Sequence, residues 1–250
     1  MSIYDEIENA LRDAGQSDQI PGLQRFFKTG PGDYAEGDLF WGLKVPQTRT
    51  IAKHFQEKAD FSDIKKLLLS PVHECRLAGV FLLVHKFTKS KSDLEKAEGI
   101  SLYESHFSQI NNWDLVDSSA PYLTGPWYFS KDRSILDIWA ASSHLWTQRI
   151  AVMTTFYFIR QRDFTTTLTL ADTLLNHPHD LIHKAVGWMI REVGNRDMTE
   201  EENFLTSVPK AQKGMVLDKP RYLIMPRTML RYATEKFPEE KRQRYLKGLV

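Results

Sequence analysis

A cation near the start of an apolar helical run recurs along the chain, and the spacing of that recurrence limits the fold more than any other feature. Arg76-Leu-Ala, Arg149-Ile-Ala, Lys184-Ala-Val and Arg227-Thr-Met follow one another at intervals of 73, 35 and 43 residues. The long interval spans two repeats, and Trp113 lies where the middle one belongs. Helix pairs recurring at about 35–45 residues are the signature of HEAT- and armadillo-type solenoids. Such units stack so that equivalent helices line one concave surface. Apolar residues keep a helical period over 4–14, 46–58, 61–69, 73–88, 92–107, 112–123, 130–140, 145–160, 164–175, 179–194, 199–207, 223–236 and 238–247, and strand alternation is nearly absent. Pro71, Pro126, Pro178, Pro209 and Pro238 punctuate the connections. These patterns predict an all-α, right-handed superhelical solenoid of HEAT-like helical repeats in one domain, 1–250. Residues 1–20 form an N-terminal capping helix with a polar outer face, 28–42 a Gly-rich loop and 238–250 a basic end.

Composition narrows the partners. A chain that is 42% hydrophobic and 26% charged has ordinary globular balance and is long enough for a sizeable core. Its single cysteine, Cys75, excludes an internal disulfide and sits in an apolar helical run, where packing is its expected role. The N-terminus is acidic with no hydrophobic signal core, and the longest apolar run is far too short for a membrane span, so a cytoplasmic location is expected. Net charge is only +1, but residues 210–250 hold eleven Lys/Arg against four Asp/Glu, whereas 1–20 hold five acids against one Arg. That asymmetry suggests a positive face on a neutral protein. A positive curved surface suits duplex DNA, where each cation neutralises a phosphate and releases counterions. It also suits an acidic protein, and architecture alone favours the protein-binding scaffold.

The candidate chemistry lies at 111–123. Asn112 is a good helix N-cap, and Trp113 and Asp117, four residues apart, share a helix face. Pro121 deprives the Asp117 carbonyl of its helical donor, which predicts a bend after the carboxylate. An indole beside an acid at such a bend could grip a cation. The plain alternatives are packing for the Trp and service to the helix dipole for the Asp. The loop at 28–42 lacks Gly-Lys-Ser/Thr and is no phosphate-cradling P-loop. His179 and His183, with His177 near, have metal-compatible spacing, but no carboxylate or Cys completes a ligand set, so no metal or other cofactor is expected. Trp41, Trp127, Trp139 and Trp146 read as inter-repeat packing. The cluster Lys241-Arg-Gln-Arg244 is a phosphate contact or a solvated end.

Several separated segments resemble one family. Trp113-Asp-Leu-Val-Asp117, Trp146-Thr-Gln-Arg149 and Lys184-Ala-Val-Gly-Trp188-Met-Ile-Arg191-Glu192 look like the DNA alkylation repair glycosylases of HEAT-like repeat fold, the AlkD type. So do the loop from Phe27 to Asp38, the segment from Gly42 to Pro46, and Arg227-Thr-Met-Leu-Arg231. The resemblance runs over roughly 22–237 with its motifs in order at repeat spacing. It implies a monomeric, monofunctional glycosylase that removes cationic alkylpurines such as 3-methyladenine and 7-methylguanine from duplex DNA. By motif match Asp117 is the essential carboxylate, Trp113 and Trp188 are the active-site aromatics, and Arg149 is a DNA contact. Arg76, Lys184, Arg191 and Arg227 join Arg149 as expected backbone contacts. A salt bridge within the solenoid is the alternative for Arg149. The family's N-terminal aromatic falls at Phe26 or Phe27, neither with a hydroxyl. Lys184 could in principle form a Schiff base with an abasic sugar, which the monofunctional character of the family disfavours. A non-catalytic DNA- or protein-binding solenoid has no need to assemble Trp113, Asp117 and Trp188.

Overall fold

The computed structural model describes residues 2–209 and 218–250, so Lys210 and Lys213 of the basic C-terminal count lie outside it. The chain folds as two compact units, Met1–Thr124 and Gly125–Val250. Among the described residues every regular element is helical, apart from one isolated parallel bridge between Leu39 and Val72.

The first unit opens with α1 (Ile3–Asp13), which buries Ile7 and Leu11 and is closed by a reciprocal Ser2/Asp5 capping box. It is followed by α2 (Ile20–Phe27), a helix the periodicity did not predict. Next come α3 (Val45–Phe55), with Pro46 in its first turn as expected, and α4 (Phe61–Leu68). The long α5 (His73–Lys89) packs on both, and α6 (Asp93–Glu104) lies against α5. Cys75 is buried, and burial pushes its thiol up to about 12, so it packs as a neutral side chain. The loop at 28–42 forms no strand and crosses into positive φ at Lys28, Gly32, Gly37 and Gly42. At Gly42 the requirement is absolute, since a Cβ there would overlap the Gln16 carbonyl.

The segment 112–123 departs from the expected helix. Only α7 (Trp113–Asp117) is helical; turns follow until α8 (Thr124–Tyr128). Pro121 leaves the Asp117 carbonyl without its helical donor, and the Ser119 hydroxyl turns back to donate to the Leu115 carbonyl at 2.6 Å. The predicted bend becomes a full stop at the carboxylate.

The second unit continues with α9 (Ser134–Ala140), α10 (Leu145–Arg160), α11 (Thr165–Thr173), α12 (Asp180–Gly194) and α13 (Met198–Thr206). The helix expected at 223–236 is broken by Pro226 into α14 (Arg221–Ile224) and α15 (Arg227–Ala233), and α16 (Glu239–Lys247) ends the chain. Helix α12 is the centre of this unit, packing on α10, α11, α13 and α15. Gly187 permits the α12–α15 approach, because a Cβ there would sit 2.6 Å from the Tyr232 Cβ. Trp139 and Trp146 are buried, as packing predicts. No helix among the described residues is long and apolar enough to cross a membrane.

Candidate active site

Helix α7 has five residues, too few to persist unaided, so its position comes from side chains that pin it. The expected cap is present: the Asn112 side-chain oxygen accepts the Trp113 amide at 2.8 Å. Trp113 then stacks on Phe27, with centroids 5.4 Å apart and planes at 22°, and meets Phe26 edge-on at 5.5 Å. Phe27 is buried, while Phe26 is 62% exposed. The two candidates for the N-terminal aromatic therefore divide the work, one holding the indole from below and the other facing solvent beside it. Phe40 and His73 extend the cluster, each stacked or tilted against Phe27.

Beneath the aromatics lies a buried charge network. His73 places Nε2 2.9 Å from Asp114 and Nδ1 3.4 Å from Asp38. Arg76 pairs with Asp38 at 2.8 Å and donates to the Ser70 carbonyl at 2.9 Å and to Asn111 at 3.1 Å. Asn111 closes the ring by donating to Asp38 at 2.9 Å. Burial works against a charged His73, but the Asp114 carboxylate and the hydrogen bonds to both acids outweigh it, and its pKa is pushed up to about 9. Burial likewise opposes the Asp38 carboxylate, yet His73 and Arg76 hold it below its ordinary range. The network is thus two cations against two anions, joining the start of α5, the Gly-rich loop and the first turn of α7. Glu74 fastens the same loop from its other end, accepting the backbone amides of Trp41, Gly42 and Leu43 at 2.9–3.1 Å.

This placement corrects one expectation. Arg76 is only 4% exposed, and its charge is spent on Asp38, so it offers nothing to a phosphate. Periodicity marked it as a groove cation because it gave the position and not the partner, which lies 38 residues earlier in the loop.

Asp117 is half-buried at the end of α7 and lines a cleft of about 480 Å³. Arg49, Lys53, Phe81, His85 and Tyr122 line it too, over the apolar side chains of Ala52, Leu82 and Val84. None of these was singled out from the sequence. The i,i+4 pair Arg49/Lys53 on α3, and Phe81/His85 on α5, was the only signal available.

In the second unit, Trp188 is half-buried on α12, tilted against Phe156 at 5.9 Å and donating its indole N–H to Glu192 at 3.2 Å. Lys184, one turn earlier, pairs with Asp180 at 2.6 Å. Arg149 is 4% exposed and donates to the Leu181 carbonyl at 2.7 Å, tying α10 to the start of α12, so one edge of its guanidinium serves the fold. Arg191 pairs with Glu235. Arg227 and Arg231 are exposed on α15. The three histidines serve the entry to α12: His179 accepts the Leu181 amide at 3.1 Å, His177 accepts the His179 amide at 3.0 Å, and His183 pairs with the His177 carbonyl. Burial holds His177 and His179 below the ordinary histidine range. Among the described residues no group of three or more His, Cys, Asp or Glu is arranged to hold a metal ion.

A solved structure shares this arrangement of helices. The "Predicted DNA alkylation repair enzyme from Enterococcus faecalis" superposes with a TM-score of 0.67 at 12% identity, covering 90% of this chain and 97% of that one. The likeness establishes the class, the all-α helical-repeat fold that the repeat spacing predicts. Residues 7–237 match the family described as DNA alkylation repair enzyme, and the chain belongs to that family. No protein of curated function matches it.

Proposed function

We propose that the protein is a monofunctional DNA glycosylase that hydrolyses the N-glycosidic bond of cationic alkylated purines in duplex DNA, the first step of base excision repair. The observation that carries this reading is the Asp117 carboxylate, half-buried in a nucleotide-sized cleft one turn from an aromatic platform of Trp113 and Phe26. Alkylation at a purine ring nitrogen makes the base positive and a good leaving group. Breaking its bond moves that charge to the sugar, as in other glycosyl hydrolyses. A fixed carboxylate stabilises the charge as it develops and orients the attacking water. The base departs without needing a general acid. The Trp113 indole face attracts a cationic nucleotide by about 0.5–2 kcal/mol, depending on desolvation. Trp188 is assigned the same role from α12. Lys184, Arg227 and Arg231 are assigned to the phosphate backbone, and Arg149 and Arg191 support the same helices.

The test is release of free base from duplex DNA treated with a methylating agent, in EDTA, followed by chromatography. The expected result is 7-methylguanine and 3-methyladenine above the spontaneous rate, with nothing released from unmodified duplex. Borohydride should trap no enzyme on DNA. Release no faster than spontaneous depurination would overturn the reading and leave a non-catalytic binding solenoid.

A further inference from the structure

One buried titratable group takes no part in the proposed hydrolysis. Tyr103, in the last turn of α6, is fully buried, and so is Ser119, whose hydroxyl it meets at 2.6 Å. Phe would fill the same space without a hydroxyl to satisfy, and a hydroxyl sunk among apolar groups costs free energy unless it is bonded. The bond here has a definite direction. The Ser119 hydroxyl has one proton and gives it to the Leu115 carbonyl at 2.6 Å, with the Val116 carbonyl 3.2 Å away. Its oxygen is left to accept, so Tyr103 donates. Burial, helped by the Asp117 and Glu104 carboxylates, outweighs the Ser119 bond and raises the pKa of the phenol, which therefore keeps its proton at neutral pH.

What this relay of hydroxyls holds is the end of α7. The Ser119 amide turns to the Val116 carbonyl at 3.1 Å, three residues back. Its hydroxyl then supplies Leu115 with the donor that the amide of a continuing helix would have given. Asp117 is the last residue of α7 and lies between two ties. Three residues before it, Asp114 bonds to His73 of α5 at 2.9 Å; two residues after it, Ser119 bonds to Tyr103 of α6. The first tie is ionic and fixes the start of the helix, and the second is neutral and fixes its stop. We propose that Tyr103 is a positioning residue for Asp117, acting through Ser119 to set where α7 ends and so where the carboxylate stands in its cleft. What the carboxylate does there is taken from the proposed reaction; where it stands rests on the hydrogen bonds alone. Successive hydroxyls polarise one another, which makes the relay a firmer tie than either bond by itself.

The experiment compares the wild type with Tyr103→Phe, Ser119→Ala, the double variant and Ile64→Val, a control that trims one methyl from a fully buried side chain of α4. Release of 7-methylguanine in a single turnover, with the duplex saturated by enzyme, should fall about threefold to tenfold in Tyr103→Phe, the effect of one lost neutral hydrogen bond, while the Kd for duplex stays within about twofold. The double variant should be no slower than Ser119→Ala, because Tyr103 acts through that hydroxyl. Ile64→Val should lose comparable stability in urea and keep the wild-type rate. A second readout needs no catalysis. The side-chain carboxyl NMR resonance of Asp117, assigned by its absence in Asp117→Asn, should shift or broaden in Tyr103→Phe and stay in place in Ile64→Val. A wild-type rate or an unmoved resonance in Tyr103→Phe overturns the inference. So does a double variant slower than Ser119→Ala, or an equal loss of rate in Ile64→Val, which would mark stability alone as the cause. Should Tyr103→Phe fail to fold, Ser119→Ala is judged by the same two readouts. If the wild type releases no base, the hydrolytic reading fails and the resonance alone decides the positioning.

Discussion

Helices α7 and α12, one in each unit, each carry an indole, Trp113 and Trp188, and the protein secures the two helices by different means. Helix α7 is five residues long and is held by ionised side chains sunk beneath it: Asp114, His73, Asp38 and Arg76. Helix α12 is fifteen residues long and is held by an apolar stripe through Ile182, Val186, Met189 and Val193. Two of its polar contacts, Lys184 to Asp180 and Trp188 to Glu192, lie along its own surface, while Arg149 and Glu235 reach it from outside. The long helix brings enough periodic burial to place itself, whereas the short one depends on buried charge. Asp117, at the end of that short helix, is thus positioned by ion pairs one turn away at Asp114.

That contrast breaks most sharply at Asp38. Asp38→Ala leaves Arg76 buried without its counter-ion and His73 with one acid, and removing one partner of a buried pair costs about 3–5 kcal/mol. Urea unfolding should show a loss of that size, and a loss below about 1 kcal/mol would mean the network contributes little. At Asp180 the same deletion removes a largely exposed helix pair and should cost no more than about 0.5 kcal/mol.

Acidity separates the two units next. His73 is raised from 6.5 to about 9 in the folded protein, so its stabilisation is complete below about pH 6.5 and is lost as pH rises through about 9. In the second unit Glu201 is 1% exposed, and burial, with Glu202 beside it, raises its pKa from 4.5 to about 8. A carboxyl that folding keeps protonated also costs stability as pH rises, here from about 4.5 through about 8. His73→Gln should therefore flatten the upper part of the fall in urea midpoint, and Glu201→Gln the lower part while stabilising the protein at pH 8. If neither variant changes the pH dependence of the midpoint, the two buried groups are not the source of it.

What was legible in the sequence follows the same division. The repeat spacing, the helices α5, α10 and α12 and the Asn112 cap follow from local pattern, whereas at Pro121 that pattern predicts a bend and the helix ends outright. Helix α2 is only eight residues long, too short for a helical period to mark it, although Pro21 in its first turn is compatible with a helix start. The buried network could not be foreseen. Its partners lie 35–73 residues apart, and polar residues at the start of a helix, such as His73, Glu74 and Arg76, ordinarily face water. The cleft lined by Asp117 was hidden likewise, since it is assembled from α3, α5 and the turns after α7.

The central claim is that Asp117 stabilises positive charge on the sugar. Its most direct test is single-turnover release of 7-methylguanine, with enzyme in excess over a duplex carrying one lesion, for the wild type and Asp117→Asn in EDTA. The account predicts a rate constant at least about tenfold lower for the variant, about 1.4 kcal/mol of barrier, with folding and duplex binding retained. Equal rate constants would contradict it.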